Sequence, residues 1–404
     1  MKRKRVLMAA SVGSLIDQFN RKNLELLQEL GYEVHVACNF REGNTCDEKR
    51  VLKFQANLRK LHIEQHQWDC PRSVCNPASC IRAYRQMKQL LSQYHFDWIH
   101  CHSPIGGALA RIAAHRRKVR VIYTAHGFHF YKGAPLKNWL LYYPVEKLLA
   151  RWTDVLVTVN QEDYRFAKRT LRAGSIRRIP GIGIALRGFE ASFADASVKP
   201  DVSAKADASE CDFKACAKKE VSQRYEIPQG AKLVLSVGEL NKGKNHRLVL
   251  DALARLPDKD VYYLICGQGA LREELRRYAL KTGVASRIRM TGFLEDLSVI
   301  YQSADVFVFP SLREGMPVAL MEAIAAGTAC AVSDIRGNAE LIAAEYRFPP
   351  NRSDLLVQIL GHLLSDADDR NRQIRQNRQK VKKYSDQIVG KRMKKIYEQM
   401  NSVL

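Results

Sequence analysis

No apolar run in this sequence approaches the roughly 18 residues that a helical membrane span requires, so none is expected. The start, Met-Lys-Arg-Lys-Arg, is basic like the head of a secretory leader. Ser11, Gly13, Ser14 and Asp17 nevertheless cut the apolar stretch of residues 6–10, which reads as a first strand. Cys70, Cys75 and Cys80 have no histidines at zinc-ligand spacing, and Cys38, Cys266 and Cys330 lie in apolar strand-like runs. The ten cysteines are therefore expected to be reduced thiols, with no metal site. Acidic residues are scarce in the first half, where residues 1–190 carry 32 Lys and Arg against 15 Asp and Glu; residues 191–404 carry 33 against 27. Zinc-finger spacing, an aromatic RNA-binding signature and an isolated basic helix are all missing, which argues against nucleic acid as the partner. The net charge of +23 then suits an anionic membrane surface or a lipid phosphate.

What is present is a long alternation of strand-like and helix-like segments. At 404 residues, 46% of them hydrophobic, the chain fits two α/β domains of about 150 to 200 residues each. In the first, residues 5–10 and 32–38 read as strands around a helix at 17–30, with Gly13 at the turn where backbone could approach a phosphate. Residues 41–80 read as irregular, 81–94 as a helix and 97–100 as a strand. Another strand at 119–124 ends in Ala125-His126-Gly127, placing His126 just past its carboxyl end. Residues 132–152 alternate basic with aromatic and leucine residues, which suits either a membrane-interface helix or a core helix with one wet face. The expected domains are residues 1–186 and 225–380, separated by a linker or insertion at 187–224. A final helix in 381–404 is expected to pack back toward the N-terminal domain.

The second domain opens with a strand at 232–238. Lys242 and Lys244 follow it at a helix entrance, where an ammonium can neutralise a diphosphate. The most informative stretch is 309–342. A strand stops at Pro310, a short loop carries Arg313, Glu314 and Gly315, and an apolar helix follows with Pro317 as its first residue. Gly327 is placed to end that helix in a left-handed cap. A helix start offers N–H groups and a positive dipole end, and Gly315 lets an anion come close to the backbone. Glu322 stands in so apolar a helix that its carboxylate needs a partner. Together Glu314 and Glu322 can face a transferred group on one side and a ribose diol on the other.

These residues, in Pro-Ser-x-x-Glu-Gly-x-Pro-x-x-x-x-Glu-Ala with Thr124-Ala-His-Gly127 and Arg336-Gly-Asn-Ala-Glu340, resemble the family 4 retaining glycosyltransferases of the GT-B fold. The resemblance is to the bacterial branch that builds exopolysaccharide or capsule repeat units on a polyprenyl diphosphate lipid. It implies two doubly wound Rossmann-like domains facing a central cleft and a nucleotide-sugar donor, UDP rather than GDP or ADP. It further implies a lipid-linked saccharide acceptor, a place at the cytoplasmic face of the membrane, and no metal or other cofactor. By position, Glu322 would bind the donor ribose, Glu314 the transferred sugar, and backbone from Gly315 through Met316 and Pro317 to Val318 the diphosphate and sugar. Lys244 would meet the diphosphate, His126 would position the sugar, and Gly13 would match the first-loop glycine. Glu239 departs from the family's Gly-Arg-Leu, leaving Lys244, Lys242 or Arg313 to carry the positive charge. Two alternatives are a nucleotide-sugar epimerase of the same fold and an inactive sugar-nucleotide-binding protein.

Overall fold

A computed structural model describes residues 3–73, 76–186 and 210–402. The chain divides into two compact units, Met1–Gly183 with Gln387–Leu404, and Ile184–Asp386.

The first unit is built on strands β1 (Arg5–Val12), β2 (Glu33–Asn39), β3 (Glu64–Gln67), β4 (Trp98–His102), β5 (Arg120–Ala125), β6 (Val155–Thr158) and β7 (Ser175–Arg178). All pair in parallel, in the order β3-β2-β1-β4-β5-β6-β7. Residues Val6 to Val12 are buried without a break, as expected of a central strand covered by helices on both faces. The C-terminal helix Asp386–Ser402 packs on this unit through buried Tyr397, which stacks on Trp98 at 5.4 Å and places its hydroxyl 3.0 Å from Nδ1 of His100.

The second unit contains β8 (Lys232–Val237), β9 (Val261–Cys266), β10 (Ile288–Gly292), β11 (Val306–Phe309), β12 (Ala329–Ser333) and β13 (Arg347–Phe348), in the parallel order β10-β9-β8-β11-β12-β13. Strand order reverses between β1 and β4 in one sheet and between β8 and β11 in the other. Doubly wound sheets bind ligands beyond the carboxyl ends of the strands at such a reversal. The segments after β8 and β11 are those carrying Lys244 and Glu314.

Several segments differ from the sequence reading. Residues 41–80 are not irregular: Asp47 accepts a hydrogen bond from the backbone N–H of Arg50 and caps the helix Glu48–Lys60, and β3 follows. The helix expected at 17–30 is two, Gly13–Phe19 and Arg21–Glu29, broken at Asn20, whose side chain accepts from Asn23 at 2.9 Å. Of the linker expected at 187–224, residues 187–209 lie outside the described residues, as does Cys75. The remainder forms the helix Glu210–Arg224, which buries Ala217 and Val221 and ties Lys218 to Asp305 at 2.7 Å. Pro317 is the residue before its helix, Val318–Ala325, rather than the first within it. Gly327 does adopt the left-handed conformation expected, at φ 77°.

Candidate active site

In the second unit, the peptide N–H of Leu312 donates to the carbonyl of Gly243 at 2.8 Å and joins the segments after β8 and β11. The Lys244 ammonium then reaches Glu314 Oε1 at 2.6 Å and stands 5.0 Å from the centre of the Phe309 ring. Asn241 accepts the Lys244 N–H at 3.1 Å, so the lysine backbone is fixed by a turn. Gly238, at φ 158°, leaves space for the lysine stem: a Cβ there would lie 3.2 Å from Lys244 Cε. Lys242 and Arg313 are exposed on the same two segments, as is Glu239.

Glu314 is held from a second direction, because Arg336 Nε donates to its carbonyl oxygen at 3.2 Å. The next residue, Gly337, could not carry a Cβ without coming 2.9 Å from the Gly315 carbonyl oxygen and 3.1 Å from Pro317 Cδ. The loop Gly315, Met316, Pro317 is thus pressed into place from below. The Val318–Ala325 helix begins there with no capping side chain. Its first N–H groups have no acceptor four residues back, which leaves a concentration of positive potential at the loop.

Glu322 is not an open surface charge. Its Oε2 accepts a hydrogen bond from the Tyr301 hydroxyl at 2.9 Å. Burial raises its carboxyl above the ordinary range, and the Tyr301 bond pulls the other way. Tyr301→Phe removes that stabilisation of the ionised form. If Glu322 serves a nucleotide-sugar donor, as the resemblance implies, the donor KM is expected to rise about three- to tenfold with kcat nearly unchanged, and the rise should grow as pH falls, because the carboxylate now protonates at a higher pH. Initial rates across a pH series check this.

His126 lies in the first unit, just past the end of β5, with its Nε2 3.0 Å from Nδ1 of His102. His102 is buried, and its Nε2 faces the Met8 thioether at 3.0 Å. A thioether only accepts, so Nε2 of neutral His102 carries the proton and its Nδ1 must accept from His126. That leaves Nδ1 of His126 as an acceptor, suited to a hydroxyl. Burial pushes His126 down to about 4 and His102 well below its ordinary value, so both are neutral at pH 7. Gly13 starts the helix Gly13–Phe19 and is buried against the Phe40 ring, which a Cβ would meet at 3.3 Å. The adjacent Ser14 N–H donates to Asn44 at 2.8 Å. A side chain at Gly13 would crowd the Phe40 ring by a few tenths of an ångström.

Sequence reasoning missed Tyr301 and the orienting role of His102. The signal for Tyr301 was indirect: a glutamate in an apolar helix demands a partner without naming it.

Comparison with known proteins assigns both units to known families. Residues 6–160 match the family described as Glycosyl transferase 4-like, and residues 217–380, which include Lys244, Glu314 and Glu322, match Glycosyl transferases group 1. EpsD of Bacillus subtilis (strain 168), named as a glycosyltransferase, is 34% identical over 345 residues, covering 84% of this chain and 81% of EpsD. The UDP-Gal:alpha-D-GlcNAc-diphosphoundecaprenol alpha-1,3-galactosyltransferase of Escherichia coli is 29% identical over 69% of this chain and 70% of its own. Among solved structures, HepE of Anabaena in complex with UDP and glucose superposes with a TM-score of 0.74 at 15% identity, covering 98% of this chain and 100% of HepE. WaaG, a lipopolysaccharide-biosynthesis glycosyltransferase, gives 0.68 at 17% identity, covering 97% and 99%. Two parallel-sheet Rossmann-like units, family matches across both, and a relative of this identity along most of its length together make the chain a member of the glycosyltransferases of the GT-B type.

Proposed function

We propose that this enzyme transfers a sugar, with retention at its anomeric carbon, from a UDP-sugar to a saccharide carried on a polyprenyl diphosphate lipid. The setting would be exopolysaccharide or capsule assembly at the cytoplasmic membrane face. The observation that carries the reading is the Lys244–Glu314 pair beside the start of the Val318–Ala325 helix, at the reversal point of the second sheet. An ammonium and a helix start suit a diphosphate, and the carboxylate beside them suits sugar hydroxyls. The donor and lipid in the name of the Escherichia coli relative support the same substrate classes.

In this reading Lys244, helped by Lys242, Arg313 and the backbone from Gly315 to Val318, holds the diphosphate, and Glu322 takes the ribose hydroxyls. The bond from C1 to the phosphate oxygen breaks with its electron pair passing to the diphosphate. The acceptor oxygen bonds to C1 from the same face, and its proton passes to a phosphate oxygen. Developing negative charge on the leaving group is met by groups already in place, the economical form of electrostatic catalysis. His126, neutral and accepting through Nδ1, would orient a sugar hydroxyl. No metal or cofactor beyond the donor is part of this proposal.

Glu322→Gln tests the donor site. A carboxylate accepting two hydroxyls is worth about 2 to 3 kcal/mol, so donor affinity measured by calorimetry is expected to weaken about 30- to 150-fold. Unchanged affinity removes the ribose role. A panel of nucleotide sugars incubated with lipid-linked acceptors, read by product mass, identifies the sugar; nucleotide release that does not need the acceptor would favour epimerase or hydrolase chemistry instead.

A further inference from the structure

We infer that Asn245 is a positioning residue of the transfer reaction: its side-chain amide ties the segment bearing Lys244 to the segment bearing Glu314 and fixes the spacing at which the two charges hold a diphosphate-linked sugar. The inference rests on the reading of that pair given above. It starts from the backbone at the end of β11, where four successive carbonyls each lie within hydrogen-bond reach of a side chain. Ser236 Oγ donates to Val308 at 2.6 Å, Ser333 Oγ stands 3.3 Å from the Phe309 oxygen and 2.5 Å from that of Ser311, and Asn245 Nδ2 donates to Pro310 at 3.2 Å. Asn338 Nδ2 in turn holds Ser333, at 2.9 Å from its carbonyl and 3.2 Å from its hydroxyl oxygen. Loop backbone commonly runs over the surface and moves. This stretch is gripped carbonyl by carbonyl, and it leads directly into Glu314 and Gly315.

Among these donors Asn245 is the one that adjoins Lys244 in the chain. Its Nδ2 also donates to the Pro350 carbonyl at 2.9 Å. Both partners are carbonyl oxygens, so the amide must present its nitrogen to them, with one hydrogen for each. A single side chain thus joins the segments that follow β8, β11 and β13. The aim of the amide depends on a left-handed backbone, φ 54° and ψ 34°, between the turn Lys242–Lys244 and the helix His246–Arg255. Asparagine tolerates that conformation better than most residues with a Cβ.

The need for such a tie follows from the chemistry of lysine. An ammonium on a flexible four-carbon stem is a mobile charge, and its place is set by where the stem is rooted. Asn241 fixes the root from one side by accepting the Lys244 N–H, and Asn245 fixes it from the other by fastening the next residue to Pro310. The ammonium then meets Glu314 at 2.6 Å. Misplacing a reacting or stabilising group by about 1 Å can cost on the order of a hundredfold in rate. The Leu312 N–H bond to the Gly243 carbonyl runs between the same two segments, so loss of the Asn245 amide loosens them without separating them. Its effect should therefore be smaller than that of removing Lys244 itself.

The test is titration calorimetry of the full chain carrying Asn245→Gly, with UDP and with uridine. Glycine adopts the same backbone conformation freely and removes the amide, so the melt should stay within a few degrees of the parent. Affinity for UDP is expected to fall about five- to twentyfold while uridine binds as it does to the parent. Combined with Lys244→Ala, the same substitution should change UDP affinity by less than about twofold, because the group it positions is gone. A residue that only holds the fold would weaken UDP and uridine alike, and by the same factor whether or not Lys244 is present. Either result overturns the inference, as does an Asn245→Gly protein that binds UDP as the parent does. If the glycine variant melts far below the parent, Asn245→Asp gives the same readout: it keeps the shape and the tolerance of a positive φ but cannot donate, and raised salt screens its added charge. A parent that binds uridine as tightly as UDP contradicts the diphosphate reading and takes this inference with it, whereas a discriminating parent with an unaffected variant contradicts this inference alone.

Discussion

Lys244→Ala is expected to lower kcat/KM for sugar transfer by about 10²- to 10³-fold while the protein melts within a few degrees of the parent. The size follows from where the ammonium stands. It lies 2.6 Å from Glu314 at the edge where a leaving diphosphate would gain charge, beside a helix start that already contributes positive potential. Loss of one preorganised charge from such a position costs about 2.7 to 4 kcal/mol in the transition state. The effect on folding is far smaller, because the pair is partly open to solvent, with the two side chains 24% and 19% exposed, and such pairs stabilise by about 1 kcal/mol at most. Lys244→Arg should not rescue, since a planar guanidinium would have to fit a path shaped by Gly238 around a slender lysine stem. A purely structural ion pair would behave otherwise: Glu314→Gln would then abolish any further effect of Lys244→Ala, and the melting loss would track the loss of activity.

Acid is expected to unfold the first unit before the second. His100 and His102 are buried with neutral rings, held down to about 3 and well below the ordinary value by burial, and His126 is pushed down to about 4. His66 is likewise pushed to about 4, with its Nε2 2.8 Å from buried His35. In the unfolded chain each ring takes a proton near pH 6.5. Between that value and about 4 the unfolded state therefore binds more protons than the folded one, and stability falls as pH falls through this window. For a fully buried ring such as His100, two pH units cost about 3 kcal/mol. Two or three such rings rival the roughly 5 to 15 kcal/mol that holds a domain together. Among the described residues of the second unit, His246 is the buried histidine, so that unit should resist to a lower pH. Limited proteolysis from pH 7 to 4 with mass detection checks this: fragments should come first from residues 1–183. Simultaneous loss of both units, or loss only below pH 4, would assign acid unfolding to the carboxylates.

The architecture was legible because its central strands are unbroken apolar runs and its key helix is bracketed by Pro310, Gly315, Pro317 and Gly327. The missed elements had weaker local signals. The Glu48–Lys60 helix buries only Val51, Phe54 and Leu58 among polar residues, and β3, Glu-Gln-His-Gln, has no apolar residue at all. β3 is a strand because β2 pairs with it, a tertiary fact that no local pattern carries. The site divides in the same way. Residue types and spacing singled out Glu314, Lys244, Glu322 and His126. The contacts that orient them, from Tyr301, Arg336 and His102, join segments 21 to 24 residues apart, and Lys244 meets Glu314 across 70. The exposed face of the Leu136–Ala150 helix is an instructive middle case. Its composition allowed both a core helix and an interfacial one, and the structure shows one side packed into the first unit and the other exposed.

The account stands on the grip of an anionic tail at the start of the Val318–Ala325 helix, and titration calorimetry with UDP and with uridine reaches that claim most directly. Two charge-assisted contacts to the diphosphate should make UDP bind at least about a hundredfold more tightly than uridine, and Lys244→Ala should erase most of the difference. Uridine binding as tightly as UDP, or a Lys244→Ala protein that holds UDP as the parent does, would contradict it.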